Sequence, residues 1–136
     1  MDRSGEDLPR LPELTYSIGL TKTMDLDIGE LIAHADYTYI GEQVINIQTA
    51  APGSTAEQLA AVEKANDLSR FDGYGLLNAR LSLWTADDSV ELSLWGRNLT
   101  EEEYYTASFN LWTSMGFATN FQGAPRTFGG SIKYLF

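Results

Sequence analysis

The sequence predicts an all-β fold, an antiparallel meander of about five strands. Apolar and polar residues alternate with period two in five separate segments, the pattern of strands whose faces meet different surroundings. The connections between those segments alternate short and long. No stretch approaches the ~18 consecutive apolar residues of a membrane-spanning helix. With 136 residues, 43% of them apolar, the chain has enough for one core or for one lipid-facing surface.

The first strand begins after Pro12, because proline has no N–H to give to a ladder. Leu14, Tyr16, Ile18 and Leu20 share one face, and Thr15, Ser17, Gly19 and Thr21 the other. The second sets Leu31, Ala33, Ala35, Tyr37 and Tyr39 against Ile32, His34, Asp36, Thr38 and Ile40. The third alternates Leu77, Ala79, Leu81 and Leu83 with Asn78, Arg80, Ser82 and Trp84. The fourth alternates Val90, Leu92 and Leu94 with Glu91, Ser93, Trp95 and Arg97. The fifth sets Phe128, Gly130, Ile132, Tyr134 and Phe136 against Thr127, Gly129, Ser131, Lys133 and Leu135.

Residues 24–29 and 85–89 are short, Asp-containing connections that read as hairpin turns. Residues 44–72 and 100–125 form the long connections, and loops of that length in a compact soluble domain count against the assignment unless they are functional. A short helix is expected in the first, where Ser54 and Glu57 form a capping pair ahead of Gln58-Leu59-Ala60-Ala61-Val62-Glu63-Lys64-Ala65. The second is expected to be a loop. No internal repeat divides the chain, so one unit is expected.

Composition excludes several functions. Nine Lys and Arg against nineteen Asp and Glu give a net charge of −10, which opposes binding to nucleic acid phosphates. With no cysteine there is no disulfide, thiolate metal site or cysteine nucleophile. Met1-Asp2-Arg3-Ser4-Gly5-Glu6-Asp7 is polar and acidic, unlike the basic and then apolar start of a secretory signal.

Five such strands suit either a soluble sandwich or barrel with its apolar face inward, or a membrane barrel with that face toward lipid. Three features favour the membrane barrel. Tyr37, Tyr39, Phe128, Tyr134 and Phe136 lie toward strand ends, where aromatic girdles sit at the interface. Short turns on one rim and long loops on the other are the barrel's arrangement. The sequence stops on an aromatic at the end of an alternating strand.

The terminal half also carries two motifs. Asn98-Leu99-Thr100-Glu101-Glu102-Glu103-Tyr104 fits an N-L-x-x-x-x-Y pattern, and Gly123-Ala124-Pro125-Arg126-Thr127-Phe128-Gly129 fits G-x-P-R-x-[FY]-G before a terminal aromatic. Together they resemble the C-terminal end of TonB-dependent outer-membrane receptors. Leu11-Pro12-Glu13-Leu14-Thr15 is similar to the proline-led entry into an earlier strand of the same barrels. Phe128, Tyr134 and Phe136 resemble the signal read by the barrel assembly machinery, with Ser131 at the usual glycine position.

The resemblance implies that residues 1–136 are the C-terminal part of a transmembrane β-barrel, lacking the earlier strands and the N-terminal plug. It implies a bacterial outer-membrane location and a parent that imports a scarce solute, a ferric siderophore foremost, using energy delivered by TonB through the missing N-terminal part. Five strands do not close a barrel, so the chain is expected to be a fragment or to need a partner to complete its sheet. A soluble β-barrel binding module and an outer-membrane barrel enzyme are the alternatives. No catalytic residue, cofactor or metal is expected.

Tyr104, Tyr105, Phe109, Trp112, Phe117 and Phe121 place aromatics with few charges in the second long connection and are candidate ligand contacts, since such rings stack on flat ligands. Arg80, Glu91, Trp95 and Arg97 are candidates for facing the lumen or the plug. His34 and Asp36 share a strand face and read as a hydrogen-bonded polar pair, because neither a nucleophile nor further ligands stand near them in the sequence. Asp25, Asp27 and Glu30 lack the spacing of a calcium loop and read as a polar turn. Asn98-Leu99-Thr100 fits the glycosylation acceptor triplet, to which a bacterial protein gives no weight.

Overall fold

A computed structural model describes residues 8–136, so the acidic segment Met1–Asp7 lies outside the described residues. In chain order the elements are strands β1 (Thr15–Leu26), β2 (Gly29–Ile40) and β3 (Gln43–Val44), helix α1 (Ala56–Leu68), strands β4 (Arg70–Phe71), β5 (Tyr74–Thr85), β6 (Val90–Arg97) and β7 (Tyr105–Leu111), helix α2 (Trp112–Met115), and strands β8 (Phe117–Gln122) and β9 (Thr127–Tyr134).

The chain divides into two compact units rather than the one expected. One comprises Tyr16–Tyr39, Gly75–Glu102 and Ala124–Phe136. It is the five-stranded meander in the order β1-β2-β5-β6-β9, so all five predicted strands form and each pairs with its predicted neighbour. Pairing is antiparallel, with Leu81 opposite Leu94 and Leu83 opposite Leu92 between β5 and β6, and Leu94 opposite Gly130 and Leu92 opposite Ile132 between β6 and β9. Partners share a face, so a continuous apolar surface runs across the sheet.

The short connections tighten further than predicted. β1 runs on to Leu26, and the turn is only Asp27 and Ile28 ahead of Gly29, at φ 139. Between β5 and β6 the Asp87 carboxylate accepts hydrogen bonds from Thr85 Oγ1 at 2.6 Å, Ser89 Oγ at 2.8 Å and Ser89 N at 3.3 Å. Asp88 takes the left-handed φ of 54 that Asp tolerates better than most residues.

The second unit is drawn from the described stretch up to Thr15, Ile40–Tyr74 and Glu103–Gly123. Its small core is Val44, Ile45, Ala65, Phe71 and Tyr74. Helix α1 starts one residue later than the predicted cap. Thr55 Oγ1 accepts from Gln58 N, while Gln58 Oε1 accepts from Thr55 N, and the Ser54 hydroxyl donates instead to Ala51 O. The aromatic stretch expected as a loop is a hairpin of β7 and β8 with α2 between them.

Polar side chains fix this unit. Asn110 is buried, and its Nδ2 donates to Ala65 O at 2.6 Å and Ser69 Oγ at 2.8 Å, tying β7 to the end of α1. Gln48 and Asn66 bond reciprocally, Gln48 N to Asn66 Oδ1 at 2.7 Å and Asn66 Nδ2 to Gln48 O at 3.0 Å. Gln48 Nε2 also donates to Asn110 O.

Two outcomes follow. Asn110→Leu leaves the buried Ala65 carbonyl and Ser69 hydroxyl without their donor, a cost of about 1–3 kcal/mol. Amides at the end of α1 then exchange with solvent about tenfold faster or more, read by hydrogen exchange, while those of β6 are unchanged. Asp87 is held down to a pKa of about 2 from its ordinary 3.8, by the Thr85 hydroxyl first and then by Ser89. A depressed carboxylate stabilises the turn at pH above its ordinary value and ceases to as pH falls through the lowered one. A carboxyl ¹³C titration should therefore place its midpoint near 2, and a midpoint near 4 would mean that the turn hydrogen bonds do not form.

Candidate functional site

The polar face of the sheet gathers the candidate lumen- or plug-facing side chains. Alternation brings Asn78, Arg80, Ser82 and Trp84 of β5 beside Glu91, Ser93, Trp95 and Arg97 of β6, with Arg80 opposite Trp95, Ser82 opposite Ser93 and Trp84 opposite Glu91. Arg80 is the centre of a network. Its Nη2 lies 3.0 Å from Glu91 Oε1 and 2.8 Å from Ser93 Oγ, and its Nε donates to Ser82 Oγ at 3.0 Å. Ser82 and Ser93 hydrogen-bond each other at 3.0 Å, and Ser93 donates to Glu91 at 2.8 Å. Both serines are buried, at 6% and 3% exposure.

Trp95 and Arg97 form a second pair, the guanidinium 5.3 Å from the indole centroid. The same indole lies across Gly129, its register partner on β9, where a Cβ would collide with the ring. Lys133 stands over Trp84 at 5.5 Å. The predicted lumen-facing set thus separates into an ion pair, Arg80 with Glu91, and a stacked pair, Trp95 with Arg97.

His34 is held on both sides. Its Nδ1 hydrogen-bonds Thr21 Oγ1 at 2.8 Å, and its Nε2 stands 3.7 Å from Asp36 Oδ1. Asp36 in turn accepts from Asn78 Nδ2 at 2.8 Å. His34, Asp36 and Asn78, with Arg80, Trp95 and Arg97, line a cleft of about 270 Å³ on the polar face. Among the described residues no three His, Asp or Glu side chains gather as a metal site would require.

The other face has the opposite character. Leu81, Leu92, Leu94 and Ile132 are 47%, 41%, 66% and 78% exposed. A soluble module would bury these side chains, whereas here they stand exposed. Phe128 and Tyr134 stand exposed at opposite ends of β9, and Phe136 stacks on Tyr134 with centroids 6.3 Å apart. Tyr16 packs against Tyr37 and Tyr39, so the predicted aromatic clustering at that end of β2 is present.

The six aromatics of residues 104–121 do not form one site. In their own unit Tyr104 is half-buried, stacked on Tyr74 at 4.4 Å, and Tyr105 packs against Phe71 at 5.4 Å. Trp112 is half-buried at the start of α2. Phe109, Phe117 and Phe121 share one exposed face of the β7–β8 hairpin, since Phe109 pairs with Thr119, Leu111 with Phe117 and Ala107 with Phe121. The hairpin's other face carries Asn110, which explains the outward turn of the rings: the hydrogen bonds of Asn110 claim the inner side.

The two motifs prove to be structural. Asn98, at φ 50 and buried, donates through Nδ2 to Glu102 O at 2.8 Å and Ala124 O at 3.2 Å, and accepts from Glu102 N at 2.8 Å. Its own N–H donates to Asn78 Oδ1 at 3.1 Å. Arg126 pairs with Glu101 at 2.9 Å. Asn98 therefore clasps the chain leaving β6 to the chain entering β9. Asn78 and Asn98 were not singled out from sequence as a pair; the signal was an Asn inside a strand, where it is normally disfavoured.

Asn98→Asp keeps the acceptor and the left-handed backbone but loses both Nδ2–H donors, whereas Asn98→Ala loses all three bonds. Each buried group left unpaired costs about 1–3 kcal/mol. Ala is expected to be more damaging than Asp, both lowering the denaturant midpoint of the folded chain. Equal midpoints for all three proteins would show that the clasp does not form.

No family model matches the sequence, and no curated protein matches it. One solved structure is similar in fold, the ferric yersiniabactin uptake receptor FyuA from Yersinia pestis. The TM-score is 0.72 at 16% identity, over 94% of this chain and 17% of the receptor chain. The chain thus spans about a sixth of that receptor's length. At the level of the fold, the chain is similar to part of a TonB-dependent siderophore receptor, the resemblance that its terminal motifs carry.

Proposed function

We propose that this chain is a barrel segment of a bacterial outer-membrane receptor that takes up a scarce solute, a ferric siderophore, with energy delivered by TonB. The observation that carries this reading is the two-faced sheet: exposed leucines on one face, and on the other a hydrogen-bonded Ser82–Ser93–Arg80–Glu91 network whose two serines are buried. In water such a sheet is the wrong way round. Against lipid it is the arrangement expected, with the polar face toward an aqueous lumen.

Strand length supports the same reading. β1, β2 and β5 are each 12 residues long, and a tilted strand needs about 9–11 to cross a bilayer. Lys22 falls in phase with the apolar residues of β1 and lies toward its turn end, where a lysine reaches the interface. Among the side chains, Arg80, Glu91, Trp95 and Arg97 face the lumen or plug, Phe109, Phe117 and Phe121 are left for ligand contact, and Phe128, Tyr134 and Phe136 serve the assembly machinery. The neighbour's name, that of a ferric yersiniabactin uptake receptor, supports this choice of solute.

The absence of cysteine permits a clean test. Single cysteines placed at Leu92, Ser93, Leu94, Ile132 and Ser131 in the gene product, in outer-membrane preparations of cells that produce it, should alternate. Those at 92, 94 and 132 should react with a bilayer-soluble maleimide, and those at 93 and 131 should not. Loss of the alternation would overturn the membrane reading. For the transport itself, uptake of radiolabelled ferric siderophore by iron-starved cells should require both this gene and TonB. Uptake that persists without either would refute the assignment.

A further inference from the structure

The arginines of the sheet unit are not matched alike. Arg80 has Glu91 at 3.0 Å and Arg126 has Glu101 at 2.9 Å. Among the described residues no carboxylate pairs with Arg97, and no hydrogen bond takes up its side-chain N–H groups. Its guanidinium lies instead over the Trp95 ring, 5.3 Å from the centroid. That indole is itself fixed across Gly129, where a Cβ would collide with it. Packing over a ring engages the face of a guanidinium and leaves its in-plane N–H edge open. Arg97 is therefore a charged fork held in place with its donors unmet.

We propose that the cleft lined by Arg97 binds the carboxylate of a small solute, with Arg97, held by Trp95, as its charged anchor. Most other polar groups of the cleft already have partners. Asn78 Nδ2 donates to Asp36, Asn78 Oδ1 accepts from Asn98 N, and His34 Nδ1 bonds Thr21. Arg80 uses Nε and Nη2 on Ser82, Glu91 and Ser93, and among the described residues its Nη1 is left over. What the cleft has to offer is thus mainly guanidinium N–H, and the two oxygens of a carboxylate match two parallel N–H groups of one guanidinium. A cationic solute would meet two guanidiniums, and a neutral one would leave Arg97 without a counter-charge. The Asp36 carboxylate lines the same cleft and penalises a doubly charged phosphate more than a singly charged carboxylate. At about 270 Å³ the space lies just below the ~300–1,000 Å³ of drug-sized sites, which suits a small group. The claim goes beyond the uptake reading, because it needs only the polar face of the sheet and not what the leucine face meets.

Phenylglyoxal, which modifies guanidinium groups whose N–H edge is open, reads this site. The gene product, purified in detergent from cells that produce it, is treated in sodium chloride, sodium acetate or sodium phosphate at one ionic strength. Modified arginines are then located by mass spectrometry. Arg97 is expected to react in chloride and to react about sixfold more slowly in about 50 mM acetate, the slowing that a Kd of about 10 mM produces. The exposed Arg10, outside the cleft, should react alike in all three salts. Trp95→Leu removes the ring beneath the guanidinium, and the slowing at Arg97 should then all but vanish. Arg126, paired with Glu101, should react as before in that variant and so report that the sheet unit is folded. Equal rates at Arg97 in chloride and acetate overturn the proposal. Slowing by phosphate that matches or exceeds that by acetate makes the cleft a general anion site and overturns the carboxylate assignment. An Arg97 already unreactive in chloride means that a group of the protein fills the cleft, and overturns it too. Full slowing in the folded Trp95→Leu protein refutes the stacked anchor.

Discussion

The structure depends on the strict two-residue period of the sheet. Because partners in adjacent antiparallel strands share a face, a single out-of-phase residue in β5 would carry Arg80 into the row of Leu81 and Leu94. The Arg80 guanidinium lies between Glu91 and the paired hydroxyls of Ser82 and Ser93, so its charge and its donors are met on the polar face. That network and the leucine surface are two sides of the same constraint. Slippage of one strand would orphan the first and break the second, which is why register is sharply specified without any buried apolar core in this unit.

The sheet was legible for this reason, and the other unit was not. Alternation is local and needs only one strand to be read. β7 pairs with β8, and what fixes it against α1 is Asn110, whose partners Ala65 and Ser69 lie 45 and 41 residues away, and no short window of sequence contains such a pair. The alternation of β7 is also interrupted by a register shift between Tyr105 and Ala107, so its aromatics read as a loop. The helix was visible because α1 is built from good helix formers, but its start was misplaced by one residue. Ser54 and Thr55 are chemically equivalent caps, and only the pairing of Thr55 with Gln58 distinguishes them.

The candidate residues divide along the same line. Arg80, Glu91, Trp95 and Arg97 were placed on one face by parity alone, and they lie there. The aromatics of the second long connection were grouped by composition, which carries no direction, and the hairpin separates Tyr104 and Tyr105, packed on Tyr74 and Phe71, from the outward Phe109, Phe117 and Phe121. The motifs that carried the family resemblance have a different meaning again. Asn98 bonds the segment after β6 to the segment before β9, so whatever lies between them, here 103–123, leaves and returns through one closed point. A clasp of this kind holds the two strand ends together whatever the length of chain between them.

The remaining constraint comes from the backbone rather than from any side chain. Among the described residues, β1 and β9 each have a partner on one side only. In water their outer N–H and C=O groups would be hydrated at little cost. Facing hydrocarbon, each unpaired group costs several kcal/mol, and β1 alone is 12 residues long. The leucine face draws the sheet toward lipid and the open edges oppose it. On the membrane reading proposed above, further strands, covalently attached or not, are expected to continue the sheet at β1 and at β9.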